Sequence, residues 1–397
     1  MATTDSRVRV AVLGAGWWSQ GWHLPHLSNN EQVRLVAIVE PSKHIKSTLN
    51  EHIEQVEQLA KRYSVPVFES LETLLAASLP LDAVVIGASH KVHYELGALS
   101  LRAGLHVFME KPMTTDPAEA ALLQTLVQQT GKIFMVNNTA NWRPQTQAAT
   151  RWVADGRIGR VQHVSCKMAS ALLWLFDKKG NDGWCKPTGT MLGNGFGWGQ
   201  LSHSLAWVLR VTNLVPTTVY AEMSHSECTG ADLFDCAIVR CTNGATINVQ
   251  GVASLPFEGY EHSSKQIVNE VYGTEGMLTY SGDDMDVSSG DLRLARHDGT
   301  KELVPGFAFE DYAVDSNGGR GPGSLLAFLS ACAGEADVWN GCDAEVGSRV
   351  VAVLDAMYRS VHTGSRVTVE LEAAAPARGS EADDCSSAEG RGKRRKC

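Results

Sequence analysis

The chain has 397 residues, 44% hydrophobic and 20% charged, with a net charge of −9. That is an ordinary globular composition, long enough for two cores, and its acidity argues against nucleic acid as a main partner. Nine cysteines without a Cys-x-x-Cys pair read as reduced thiols, so neither a disulfide frame nor a metal site is expected. No apolar run is long enough to suggest a membrane span. The first ten residues lack a signal or transit pattern, so a cytoplasmic location is expected.

The first third alternates apolar runs with helical stretches. "RVRVAVLGAG" leads into a helix near Ser19, and "VRLVAIVE" (33–40) into a long polar helix through Tyr63. "LDAVVIGAS" (81–89) and "GLHVFMEKP" (104–112) each precede a helix, and "GKIFMVNN" (131–138) closes the series. Continuous apolar strands separated by helices predict a doubly wound parallel sheet of Rossmann type, with its ligand at the carboxyl ends of the strands.

After about residue 150 the texture changes. "GRVQHVSCKMAS" (159–170) reads as a long strand, followed by a Gly-rich stretch (180–199) and an apolar helix over 201–211. Strand-like runs at 217–224, 235–242, 245–254 and 266–273 follow without intervening helices. They predict a second, α+β domain on a mostly antiparallel open sheet. Two amphipathic helices come late, the second over 346–362. The expected division is a dinucleotide-binding domain at 1–136, a substrate and oligomerisation domain at 137–372, and a polar disordered tail at 373–397 ending in "KRRK" (393–396) and Cys397.

Gly14 and Gly16 fall where the first strand turns into a helix. The first permits a tight turn; the second lets a pyrophosphate approach the backbone near the helix N-terminus. Ser19 stands at the third site of the pattern and is small enough for close helix–strand packing. Glu40 ends the second strand, twenty-four residues after Gly16, where an acid accepts hydrogen bonds from ribose hydroxyls and repels a 2′-phosphate. NAD is therefore favoured, although Ser42 and Lys43 would suit the phosphate of NADP. Lys111, at the end of a buried strand, is placed to bond a reacting hydroxyl or carbonyl, and desolvation would lower its pKa.

These residues add up to a recognisable pattern. "GAGWW…HLP", "SHKVHYE", "GLHVFMEKPM", "ADGRIGRV" and "LDAMYRSVHTG" resemble, in order and spacing, the glucose–fructose oxidoreductase / inositol dehydrogenase / rhizopine-catabolism (Gfo/Idh/MocA) family. The resemblance implies a Rossmann domain, a second domain whose open sheet makes homodimers or homotetramers, and NAD(P)-dependent chemistry on a secondary alcohol of a sugar, polyol or sugar acid. It implies a cis Lys111–Pro112 bond, Lys111 as the active-site lysine, and His203 as the catalytic histidine that takes the hydroxyl proton. Trp17, Trp18, Ala88, Ser89, His90, His93, Glu110 and Asn138 join the glycine turn as expected cofactor contacts. Trp142, Arg143, Trp184, Lys186 and Gln200, with Asn194 as a further candidate, are the expected substrate contacts. Where many members have an aspartate four residues before the histidine, this chain has Gly199. That departure keeps two other readings open: a cofactor-binding sensor without turnover, and a hydrolyase or isomerase that uses NAD transiently.

Overall fold

Runs of Val, Ile and Leu without polar alternation need cover on both faces, and six of them form one parallel sheet. In the computed structural model, which describes residues 6–256, 264–307, 309 and 315–371, these are β1 (Val8–Leu13), β2 (Val33–Val39), β3 (Val67–Phe68), β4 (Ala83–Ile86), β5 (His106–Met109) and β6 (Phe134–Val136). Their order is β3-β2-β1-β4-β5-β6. The chain reverses direction across the sheet between β1 and β4, which opens a crevice at their carboxyl ends.

Local chemistry sets the helix ends. The Asp116 side chain accepts the amides of Ala118 and Glu119, Pro117 takes the first helical position, and Gly131 at φ 62° ends the helix Pro117–Thr130. The long polar helix expected after β2 is instead only Val56–Tyr63. In the preceding segment Ser47 Oγ accepts the amides of Leu49 and Asn50, and Asn50 Oδ1 accepts that of His52. Such local bonds compete with the helical ladder, so residues 41–55 fold as turns.

The second sheet has nine strands: β7 (Val161–Ser170), β8 (Pro216–His225), β9 (Asp232–Cys241), β10 (Thr246–Val252), β11 (Lys265–Gly273), β12 (Gly276–Asp283), β13 (Asp286–Arg296), β14 (Lys301–Pro305) and β15 (Val367–Thr368). Their order is β14-β13-β12-β11-β7-β10-β9-β8-β15, antiparallel throughout except for β7 beside β10. Along β9 buried and exposed residues alternate strictly from Phe234 to Cys241, so one face is packed and the other solvated. The helix Ala344–Thr363 lies against both sheets. Its Gly347 sits against Met113 and Val136, while its Ser360 Oγ accepts the Ala221 amide. No described helix is long and apolar enough to cross a membrane, and the described cysteines are free thiols. The tail expected to be disordered, 373–397, lies outside the described residues.

Candidate active site

The turn after β1 is built on small residues. Gly14 has φ +89°, and a Cβ there would stand 2.6 Å from Ala88 Cα, so only glycine fits. At Gly16 a Cβ would meet none of the described residues within 4 Å, so its free side faces open space among them. Ser19 is fully buried against Gly87 and opens a π turn (Ser19–His23) that continues as the helix Leu24–Asn29. It performs the close packing usually given to a third glycine. The Glu40 carboxylate accepts the amides of Ala15 (2.8 Å) and Ser42 (2.9 Å), which fixes an acid beside the glycine turn. Ser42 and Lys43 lie on the exposed side of that corner.

Beyond the turn lies a cavity of about 950 Å³ lined from both sheets. Gly16, Trp17, Trp18, Ala88, Ser89, His90, Glu110 and Lys111 contribute from the Rossmann side; Arg143, Trp184, Gln200 and His203 face them. Trp18 stacks on Trp22 at 4.1 Å between ring centres, and its Nε1 donates to Glu110 Oε1 (2.8 Å). The same oxygen is bonded to His23 Nε2 (2.9 Å) and accepts from Asn137 Nδ2 (2.8 Å). Burial alone would raise the Glu110 pKa, but the bonds from His23 and Asn137 outweigh it and hold the carboxyl below its ordinary value.

Lys111 lies two residues beyond β5 and reaches across the crevice. Its Nζ donates to Gly199 O (2.6 Å) and stands 5.4 Å from the Trp184 ring centre. Burial lowers its pKa to about 8, with Lys265 adding to the effect and Glu110 opposing it. The Lys111–Pro112 bond is cis. His203 is pushed well below its usual range, first by burial and then by the charges of Lys111, Lys265 and Arg143. Burial, followed by His93 and Lys111, takes His90 down to about 3. Both cavity imidazoles are therefore neutral near pH 7.

Gly199 belongs to a second π turn, Gly197–Leu201, which leads into the helix Ser202–Thr212. Asp232 anchors it: Oδ2 accepts the Gly197 amide (2.7 Å) and Oδ1 the Tyr358 hydroxyl (2.6 Å). A Cβ at 199 would lie 2.7 Å from Cζ of the buried Phe176 ring. An aspartate cannot stand at this position without moving that ring, and the backbone carbonyl meets Lys111 instead.

Several expected contacts lie elsewhere. His93 is fully buried, with Nδ1 on Pro112 O (2.9 Å) and Nε2 on Ala88 O (3.1 Å), so it braces the wall from behind. Asn138 turns away toward Cys342 Sγ, and its neighbour Asn137 faces the cavity. Trp142 donates to Trp339 O (3.1 Å) and Asn194 to the carbonyls of Gly183 and Lys186; both pack the scaffold. Lys186 is exposed and donates to Thr229 O. Arg143 does reach the cavity, held by Tyr280 Oη (2.7 Å) and Phe309 O (3.2 Å). Trp174, Lys265 and residues 45–51 also line it. They come from separate parts of the chain: Trp174 from the short helix Leu173–Phe176, Lys265 from the start of β11, and residues 45–51 from the turns after β2.

A dinucleotide fits this corner: open space at Gly16, an acid fixed at the end of β2, and room beyond the turn. Residues 8–138 match the family described as "Oxidoreductase family, NAD-binding Rossmann fold", and residues 146–279 match the GFO/IDH/MocA C-terminal domain. The chain belongs to the Gfo/Idh/MocA family. Among similar members, inositol 2-dehydrogenase of Rhizobium meliloti is 30% identical over 40% of this chain and 44% of its own length. D-Glucoside 3-dehydrogenase of Escherichia coli is 27% identical over 40% and 43%. The chain thus matches less than half the length of these curated relatives. The fold is shared with the WlbA dehydrogenase of Bordetella pertussis, solved with NADH and UDP-GlcNAcA (TM-score 0.65, 19% identity, 92% of this chain and 100% of that one). GenD2 from gentamicin A biosynthesis, solved with NAD, is equally similar (TM-score 0.66, 19% identity, 92% and 97%).

Proposed function

We propose that the protein is an NAD(P)-dependent dehydrogenase acting on a secondary alcohol of a sugar, polyol or sugar acid, with NAD preferred over NADP. The observation that carries this reading is the meeting of Lys111, from the Rossmann side, and His203, from the helix Ser202–Thr212, in the cavity that begins at the glycine turn. Gly14, Gly16 and Glu40 would hold the dinucleotide, which when bound supplies hydride acceptance or donation at its nicotinamide ring.

The chain's own groups manage the proton. With a pKa of about 8, Lys111 exchanges a proton near working pH, where general acid–base groups are most effective. As the free amine it still donates to Gly199 O and keeps its lone pair for a substrate hydroxyl. His203, surrounded by cations, is a poor proton store. We therefore assign the proton to Lys111, and give His203 the part of a neutral hydrogen-bond partner that orients the hydroxyl, in place of the proton-accepting role expected from the family resemblance. The outer face of the second sheet exposes Tyr220, Phe234 and Ile238, which supports self-association through that face.

The test is a panel of sugars, polyols and sugar acids with NAD and NADP, followed at the absorbance of reduced nicotinamide. Lys111→Met is expected to lower kcat/KM by about 10²–10⁴-fold while the dinucleotide still binds. In the oxidation direction the wild-type kcat/KM rises with pH and levels off above about 8, because the amine form accepts the proton. Tight dinucleotide binding with no turnover across the panel would instead favour a sensor.

A further inference from the structure

Between 193 and 199 every second residue is glycine, and a Cβ at any of the four would overlap a neighbour: Tyr358 at Gly193 and Gly197, Asp232 at Gly195, Phe176 at Gly199. The π turn Gly197–Leu201 is therefore placed by the groups beneath it. Among these the fully buried Asp232 carboxylate takes the Gly197 amide at 2.7 Å and the Tyr358 hydroxyl at 2.6 Å. Hydrogen bonds to a charged acceptor are the strong ones. The Gly197 N–H opens the turn, where a helix has no acceptor of its own to offer. Beside it, Asp235 meets no donor among the described residues, and burial, then Asp232, holds its carboxyl well above the ordinary range, which favours the neutral acid. Burying Asp232 has a cost that an apolar residue would not carry; what it secures is the turn.

Two residues on from Gly197, the Gly199 carbonyl receives Lys111 Nζ. Glu110 and Lys265 are the charges that bear on Lys111, and Asp232 is not among the residues that line the cavity. Its link to the lysine runs through the backbone. We propose that Asp232 is a positioning residue for Lys111: by holding the Gly197 amide it keeps Gly199 O at the amine, and so fixes where that amine stands without touching substrate or dinucleotide. The effect on turnover rests on the dehydrogenase reading above; the effect on the amine does not.

The experiment reads the amine directly. Acetic anhydride labels the unprotonated amine, and mass spectrometry of the peptide carrying Lys111 gives the labelling rate against pH, whether or not a substrate is turned over. The wild type is expected to show a midpoint of about 8. Asp232→Ala should move the midpoint lower, because the ammonium form loses an acceptor in a buried site. It should also reduce kcat about tenfold or more with the KM for NAD unchanged. Asp232→Asn keeps an oxygen for the Gly197 amide and should restore both. Tyr358→Phe removes a bond to Asp232 and leaves the one to the turn, so its melting temperature should fall while the midpoint and kcat stay. Should Asp232→Ala fold poorly, Gly197→Ala takes its place: its Cβ would meet Tyr358 Oη at 2.7 Å and displace the turn with Asp232 still present, so the midpoint should again fall. A folded Asp232→Ala or Gly197→Ala with the wild-type midpoint, an Asp232→Asn that behaves like Asp232→Ala, or an equal fall in Tyr358→Phe overturns the proposal. The expected labelling shifts without turnover across the panel would support the positioning and remove the dehydrogenase reading alone.

Discussion

Both walls of the cavity carry a π turn opening a helix, Ser19–His23 on the Rossmann side and Gly197–Leu201 on the other. Each depends on a glycine, for different reasons. Gly14, just before the first turn, is demanded by the backbone: its φ is +89° and the chain of Ala88 passes within 2.6 Å of where a Cβ would be. Gly199, inside the second, has no such φ and is demanded by one aromatic ring, Phe176. The first turn leaves open space at Gly16 beside a helix start, which suits an anion. The second offers a carbonyl, which suits the cation of Lys111. The site therefore sets two turns of opposite polarity across one crevice.

Substitutions can break this contrast, the largest effect coming from the backbone-bound glycine. Gly14→Ala places a side chain at positive φ, which costs about 1–2 kcal/mol by itself, and overlaps the Ala88 backbone as well. Its melting temperature should fall and its dinucleotide affinity drop at least tenfold. Gly16→Ala should weaken dinucleotide binding while leaving thermal stability unchanged, since its Cβ meets nothing. Equal melting losses for the two would count against the distinction drawn between them. Gly199→Ala is expected to destabilise by about 1–3 kcal/mol through overpacking, and Phe176→Leu in the same chain should recover part of that loss in chemical denaturation. If the double variant is worse than the sum of its parts, the ring is not what excludes a side chain. The smallest effect belongs to Ser19→Ala. Its buried Oγ has no hydrogen-bond partner among the described residues, so the change should leave stability within about 1 kcal/mol of the wild type, or improve it.

Much of the Rossmann side was legible because its signals are local. Apolar runs of four to seven residues, a glycine after the first strand, an acid at the end of the second and a lysine at the end of the fifth are each visible within a short window. The strands β12, β13 and β14 were not anticipated, nor was the replacement of a helix by turns at 41–55. There, side-chain bonds from Ser47 and Asn50 overrode a helical pattern. Among the site residues, Asn138 was expected where Asn137 faces the cavity, a one-residue error that decides which side of the wall a side chain occupies. His93, Trp142 and Lys186 have suitable chemistry in suitable stretches, yet their polar atoms bond the scaffold.

The sequence alone determined the parallel first sheet, the turn that needs Gly14, and the placing of Lys111 at a strand end, because strand period and backbone sterics act over a few residues. Only the tertiary structure decided how Gly199 is used and what surrounds His203. Phe176 lies twenty-three residues before Gly199, and Lys265 sixty-two residues after His203. The exclusion of a side chain exists only once the second part of the chain folds Phe176 onto the turn, and the crowding of cations only once Lys111 reaches across from the Rossmann side.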